Sequence, residues 1–318
     1  MKSNSMNTLK LKRNKLSGAQ RVKIIAFFVL LIVCAIWLFP ILYMILTSVK
    51  TDSDIMVYPG KLFPTNGFTF ERYKTLIQAT IKGEPIILND TWYPPVGKWV
   101  LNSLLIVAGT IVWQILVCTA CAYAMVFLDF KFKKLLWAAF IASMSIPGIA
   151  GYVSGFILGF KISDIFGGYT KTYLYLNWII TGGASIMSLF LIKQFMESIP
   201  IDLVESARMD GCSDFRIFWR LIFPNLKGIL FTISIMIFLG TWNAYEGPAL
   251  AIKLAGNDNS MKTLTVGLFD LVGNNPSTSG QLGLKMTACV IGALPTMLVY
   301  CICSNKIVEG VAGSGVKR

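Results

Sequence analysis

Six stretches of this chain, residues 24–48, 99–128, 135–160, 173–192, 228–245 and 286–304, are apolar and carry no Asp, Glu, Lys or Arg. Each has the length, roughly 18 residues or more, with which an α-helix crosses a hydrocarbon core of about 30 Å. Composition agrees: 55% of residues are hydrophobic and only 14% charged, and the mean hydropathy is +0.64. A soluble domain carries roughly 25% charge, and here the charge is removed in blocks. The expected fold class is therefore all-α, a polytopic membrane protein with six transmembrane helices. Spans without internal charge argue against a proton- or sodium-coupled carrier, whose coupling site usually needs ionisable residues or carbonyl cages at mid-membrane.

The first block follows Lys2, Lys10, Lys12, Arg13, Lys15, Arg21 and Lys23, as in a signal peptide. The run exceeds the roughly 7–15 residues of a signal h-region, and no small-residue cleavage site follows. It is expected to be retained as the first span. With the amino terminus inside, the inner segments hold 18 Lys/Arg and 7 Asp/Glu, against 11 and 9 outside. The positive-inside rule then places both termini in the cytoplasm. The expected organisation is a basic cytoplasmic segment over 1–23, a transmembrane domain over 24–306 with a cytoplasmic loop at 193–227, and a cytoplasmic tail over 307–318.

The net charge of +13 flanks apolar segments and lines no single amphipathic face, so a nucleic-acid role is not indicated. Six of the seven cysteines lie in apolar segments, and Cys118-x-x-Cys121 and Cys301-x-Cys303 read as packing residues. With no histidine, the commonest general base is missing, and the chain is not expected to be an enzyme. The tail Gly310-Val-Ala-Gly-Ser-Gly315-Val316-Lys317 fails as a phosphate loop, because Val316 separates Gly315 from Lys317 and no Ser or Thr follows. No catalytic, cofactor or metal site is expected in the chain.

Two external stretches are distinctive. The segment 50–98 is rich in Pro, Gly and aromatic residues, and its end, 81–97 with Tyr93-Pro94-Pro95, reads as an ordered surface insertion. The stretch 248–285 carries a turn-rich tip, Asn274-Asn275-Pro276-Ser277-Thr278-Ser279-Gly280.

The cytoplasmic loop reads as two short helices around a tight turn. Asp202 is expected to cap the first, with Glu205 three residues on, and Gly211 to supply a left-handed stop. Ser213 is expected to cap the second helix and Pro224 to end it. Phe215, Phe218, Trp219 and Ile222 interleave with Arg216 and Arg220, a pattern that suits a membrane-interface helix or a protein-docking helix.

Glu205-Ser206-Ala207-x-x-Asp210-Gly211-Cys212, a hydrophobic stretch and then Pro224 resemble the EAA loop of ABC importer permeases. The Glu-x-Ala-x-x-Asp-Gly form after Ser198-Ile199-Pro200 is similar to the carbohydrate-uptake branch, in particular the smaller maltose-type membrane subunit. Lys61-Leu-Phe-Pro64, Phe68-Thr-Phe-Glu-Arg-Tyr73, Trp99-Val-Leu-Asn102-Ser103, Trp242-Asn243-x-Tyr245-x-x-Pro248 and Val308-Glu309-Gly310 extend the likeness over most of the chain. Ser206 and Cys212 replace the usual alanines, and residues 84–97 are an insertion.

The resemblance implies a type I ABC importer permease fold in a bacterial inner or plasma membrane. It also implies a second permease subunit, two ATPase subunits that bind ATP and Mg, and an external solute-binding protein. In that reading Glu205 anchors the loop to an ATPase cleft, Ala207, Asp210, Gly211 and Pro224 shape it, and Phe215, Phe218 and Trp219 supply apolar contact. Trp242, Asn243, Tyr245 and Glu246 are candidates for a sugar path or for gripping the binding protein; Trp and Tyr at that depth also suit an interfacial belt. A permease for peptides or amino acids, and a carrier or channel outside the ABC class, stay open on the sequence.

Overall fold

The computed structural model describes residues 18–313 except 59, 83–85, 89–90, 94–95, 166–167, 169, 182–184, 257 and 274–278. The basic segment before residue 18, the 274–278 tip and the last residues of the tail lie outside this set. In chain order the helices are α1 Gly18–Ser48, α2 Asp52–Val57, α3 Glu71–Lys82, α4 Val96–Phe127, α5 Lys133–Ser143, α6 Gly148–Ile165, α7 Lys171–Thr181 and α8 Ile186–Met196. After them come α9 Ile201–Met209, α10 Asp214–Ile217, a π-helical turn Phe218–Ile222, α11 Phe223–Asn225 and α12 Lys227–Trp242. The chain closes with α13 Glu246–Leu254, a 3₁₀ turn Asn259–Met261, α14 Leu264–Gly273 and α15 Ser279–Gly313.

Among the described residues three helices, α1, α4 and α15, are each long and apolar enough to cross a membrane unbroken. Two helix pairs reach that length and composition only when each is taken together across its bend: α7 with α8, bent by 43°, and the 214–225 segment with α12, bent by 76°. Where the sequence suggested one helix over 135–160, the chain forms two, α5 and α6. Pro147 directly precedes α6, and a proline disfavours helical geometry in the residue before it. The α7–α8 break falls beside Gly182-Gly183, residues that lie outside the described set, and Ser185 caps α8 by accepting from the Ser188 amide.

The central element is α4, which packs against α7, α8 and α12 along its length and against α3 and α14 at its N-terminal end. Near its C-terminal end Tyr123 and Phe127 join Ile192, Met196, Val204 and Ile233 in one buried cluster. At the N-terminal end Trp99 and Val107 pack with Leu76, Trp242, Leu264 and Leu268. The Trp99 indole donates to the Asn259 carbonyl (3.1 Å), the Asn102 amide donates to the Ser260 and Lys262 carbonyls (2.9 Å each), and Ser103 Oγ accepts from the Leu264 amide (2.9 Å). These bonds tether 259–264 to α4. By contrast α1, which packs along α15, leaves its membrane-length apolar window wholly unburied by this chain, as a helix meant for lipid or a neighbouring subunit would.

Residues 84–85, 89–90 and 94–95 of the insertion lie outside the described set, and those described on either side of 89–90 form strand: β1 Ile86–Leu88 pairs antiparallel with β2 Thr91–Tyr93, with Ile87 opposite Trp92. It is the one strand pair among the described residues of an otherwise helical chain. Earlier in the chain, the Asp54 carboxylate ties down the loop that follows α2 by accepting from the amides of Thr65 and Asn66 (3.0 Å each) and from Thr65 Oγ1 (2.5 Å).

Candidate functional site

Two features stand out, an elbow formed by α9 and α10 at one end of the bundle and a cavity with amide and hydroxyl groups in its wall. In the elbow, α9 ends at Asp210 and Gly211 adopts φ +77°. The Cys212 amide donates to the Ala207 carbonyl and the Gly211 amide to the Arg208 carbonyl, both at 3.0 Å. This pair of bonds is a Schellman motif, so Gly211 supplies the expected left-handed stop. Capping of α9 by Asp202 is not what forms: Pro200 holds the N-cap position and Asp202 sits in the first turn. Ser213 takes the N-cap position of α10 without a side-chain bond.

Pro224 does not stop the second helix where expected. The helical path runs through it to Asn225 and turns at Leu226. Pro224 has no N–H to donate, and the Phe223 amide just before it reaches back to the Phe218 carbonyl, one residue beyond α-helical register.

The outward face of the elbow carries Glu205, Asp210, Met209 and Phe215, the last two 88% and 75% exposed, with Trp219 half-covered beside them. Phe215 and Trp219 meet edge to face at 6.2 Å. Ala207 is half-buried against the core and leaves room at the turn. Phe218 departs from the expectation of a docking residue, being 8% exposed with its ring 5.5 Å from Tyr123, so it props Trp219 from behind at 5.1 Å.

The sequence reading missed the anchor of this elbow. Arg208 donates through Nη2 to the Phe127 carbonyl at the end of α4 (2.9 Å) and to Asp214 Oδ1 (3.0 Å), and the Tyr123 hydroxyl donates to the same Oδ1 (3.0 Å). The Arg208 guanidinium, then the Tyr123 hydroxyl, hold the Asp214 carboxyl below its ordinary range. No spacing in the sequence links Tyr123 to Asp214, which are 91 residues apart.

The cavity, about 920 Å³, lies among α4, α6, α7, α8 and α12. Thr110 and Gln114 of α4, Asn177 and Trp178 of α7, Ser188 of α8, Thr241 at the end of α12 and Asn243 through Pro248 line it. The Gln114 amide donates to Ser188 Oγ (2.8 Å). Of the four candidates for a sugar path or for gripping the binding protein, Asn243, Tyr245 and Glu246 reach the cavity and Trp242 does not. Trp242 is 2% exposed, stacked on Phe238 at 5.5 Å, with its indole donating to the Gly292 carbonyl (3.4 Å), so its role is packing. Gln114, a long amide inside an apolar block, is the signal in the sequence that could have located the cavity.

Apolar helices around a cavity with amide and hydroxyl groups in its wall, with an amphipathic elbow at one end of the bundle, fit the membrane subunit of a transporter. A family model described as a binding-protein-dependent transport system inner membrane component matches residues 114–303. The chain belongs to that family, a family of transporter permease subunits and not of enzymes, and it is a multi-pass membrane protein.

It is similar to the arabinooligosaccharides transport system permease protein AraQ of Bacillus subtilis, at 25% identity over 93% of this chain and 96% of that one. It is also similar to the diacetylchitobiose uptake system permease protein NgcG of Streptomyces coelicolor, at 24% over 95% and 92%. Likeness to the maltodextrin transport system permease protein MalD of Streptococcus pneumoniae is 23% over 98% and 99%. A solved bacterial ABC transporter that imports the acidic polysaccharide alginate shares the fold, with a TM-score of 0.72 at 19% identity over 91% of this chain and 98% of that one.

Proposed function

We propose that this chain is a membrane-spanning subunit of an ATP-driven importer for sugars or oligosaccharides in a bacterial cell membrane. An external binding protein delivers the cargo, a second permease subunit completes the path, and two ATPase subunits, which hold ATP and Mg, drive it. The cavity is the observation that carries the cargo class. Its wall offers the amides of Gln114, Asn177 and Asn243, the hydroxyls of Ser188 and Thr241, and the faces of Trp178 and Tyr245, with Glu246 as the one charged lining residue among those described. Amide and hydroxyl groups beside aromatic faces suit a neutral polyhydroxyl molecule, whereas an amino acid or peptide calls for paired charges. The oligosaccharide permeases to which the chain is similar support the same reading.

The elbow is the coupling element. A membrane subunit without an ATP site must receive work through a rigid projection, and two short helices fixed by the Gly211 Schellman turn and buried on one face make one. Glu205 supplies the charged anchor, Ala207 and Gly211 allow close approach, Asp210 and Pro224 set the shape, and Phe215 with Trp219 fill an apolar cleft on the ATPase.

The test is reconstitution of this chain with its partner permease, ATPase and binding protein in liposomes, followed by uptake of labelled neutral oligosaccharides and of dipeptides. ATP-dependent oligosaccharide uptake that falls with Glu205→Ala or Phe215→Ala is expected. Uptake of dipeptides alone would replace the sugar reading with the peptide one, and full ATPase copurification and uptake in both variants would remove the elbow from coupling.

A further inference from the structure

The elbow has two covalent connections to the bundle, and neither is a straight helix. On one side Glu197–Pro200 breaks the path between α8 and α9, and on the other the chain bends by 76° into α12. Besides these joints the elbow meets the bundle through apolar packing, with Val204, Ile217 and Phe218 in one buried cluster with Tyr123 and Phe127. Apolar contact is non-directional, and the directional connection is made by polar side chains. Arg208 from α9 and Asp214 from α10 close on each other, and both also reach α4, through the Phe127 carbonyl and the Tyr123 hydroxyl.

Tyr123 is 6% exposed and its ring is fixed between Phe127 (5.4 Å) and Phe218 (5.5 Å), so its hydroxyl has little freedom to leave Asp214. From Gln114 to Phe127 the sequence of α4 has neither Gly nor Pro. Tyr123 lies nine residues from Gln114, about 14 Å along the axis at the helical rise. One unbroken helix therefore joins the elbow to the Gln114–Ser188 wall of the cavity.

We infer that Tyr123 is a positioning residue for coupled transport: with Arg208 and Asp214 it clamps both halves of the elbow to α4, which carries their movement to the cavity wall. This rests on the coupling reading of the elbow. Loss of the clamp leaves the docking face intact, because Glu205, Phe215 and Trp219 are held by the Gly211 turn and the aromatic cluster. It leaves only apolar packing between that face and α4, so movement of the face reaches the cavity wall less faithfully.

The experiment uses the full complex with binding protein in liposomes, reading ATPase copurification, ATP turnover and molecules of sugar imported per ATP. Tyr123→Phe keeps every ring contact and removes one hydroxyl, and Asp214→Asn keeps the side-chain shape and removes the charge. Both are expected to retain the ATPase subunits and the melting temperature of the complex. Sugar per ATP should fall about tenfold, the scale of one hydrogen bond to a charged group.

An unchanged sugar-to-ATP ratio in both variants overturns the clamp, and so does loss of ATPase copurification in either, because the contact would then build the docking face. Glu205→Ala in parallel separates the two ideas. If it leaves assembly and transport untouched, the coupling reading fails. If it disrupts them while Tyr123→Phe transports normally, only the clamp fails.

Discussion

The Gln114 side-chain amide donates to Ser188 Oγ across 2.8 Å, joining α4 to α8 with both residues at least nine-tenths buried on the wall of the cavity. A polar pair inside an apolar bundle is stable only while both members are bonded. Gln114→Leu is expected to lower stability by about 1–3 kcal/mol, and Gln114→Leu with Ser188→Ala to recover most of that loss, because no unmet polar group remains. Thermal midpoints of the assembled complex check the stability side. Uptake should stay low in the double variant, since the polar wall is gone.

At the elbow, a Cβ on Gly211 would meet nothing within 4 Å, so the only penalty of a substitution is the φ of +77°. Gly211→Val is expected to cost about 1–2 kcal/mol in the turn and to reduce ATPase copurification. Gly211→Asn should be milder, because Asn tolerates left-handed geometry. Equal retention of the ATPase by all three forms would mean that the turn does not set the docking face.

The N-terminal end of α4 depends on one close approach. A Cβ on Gly267 would run into the indole of Trp99, which is fully buried and bonded to Asn259. Gly267→Ala is therefore expected to destabilise by about 1–3 kcal/mol through overpacking. Melting of the purified permease pair measures it, and an unchanged midpoint would show that the indole can move aside.

The loop that Asp54 ties down should be acid-sensitive. Hydrogen bonds from Thr65 and Asn66 depress the Asp54 carboxyl below its ordinary 3.8 in the folded state. A depressed folded pKa means the stabilisation is complete above that ordinary value and is lost as pH falls through the lower folded one. Amide exchange at Thr65 and Asn66, compared at pH 5 and pH 3, should accelerate at the lower pH beyond the intrinsic trend. Asp54→Asn should remove that difference.

The sequence by itself determined the membrane character, the apolar stretches, the elbow with its Gly211 turn and the family, because each is written in local terms: uncharged runs, a φ-permissive glycine and a fixed motif spacing. It also pointed to Asn243, Tyr245 and Glu246. The breaks at Pro147 and beside Gly182-Gly183 fall inside uncharged apolar runs that read as single spans, although both carry local signals.

Only the tertiary structure decided that Phe218 and Trp242 face inward while Phe215 faces out, since an aromatic residue's side of a helix depends on what packs against it. The Tyr123–Asp214–Arg208 clamp and the Gln114–Ser188 bond lay equally out of reach. Their partners come from different helices, brought to hydrogen-bonding distance by packing that no spacing along the chain encodes.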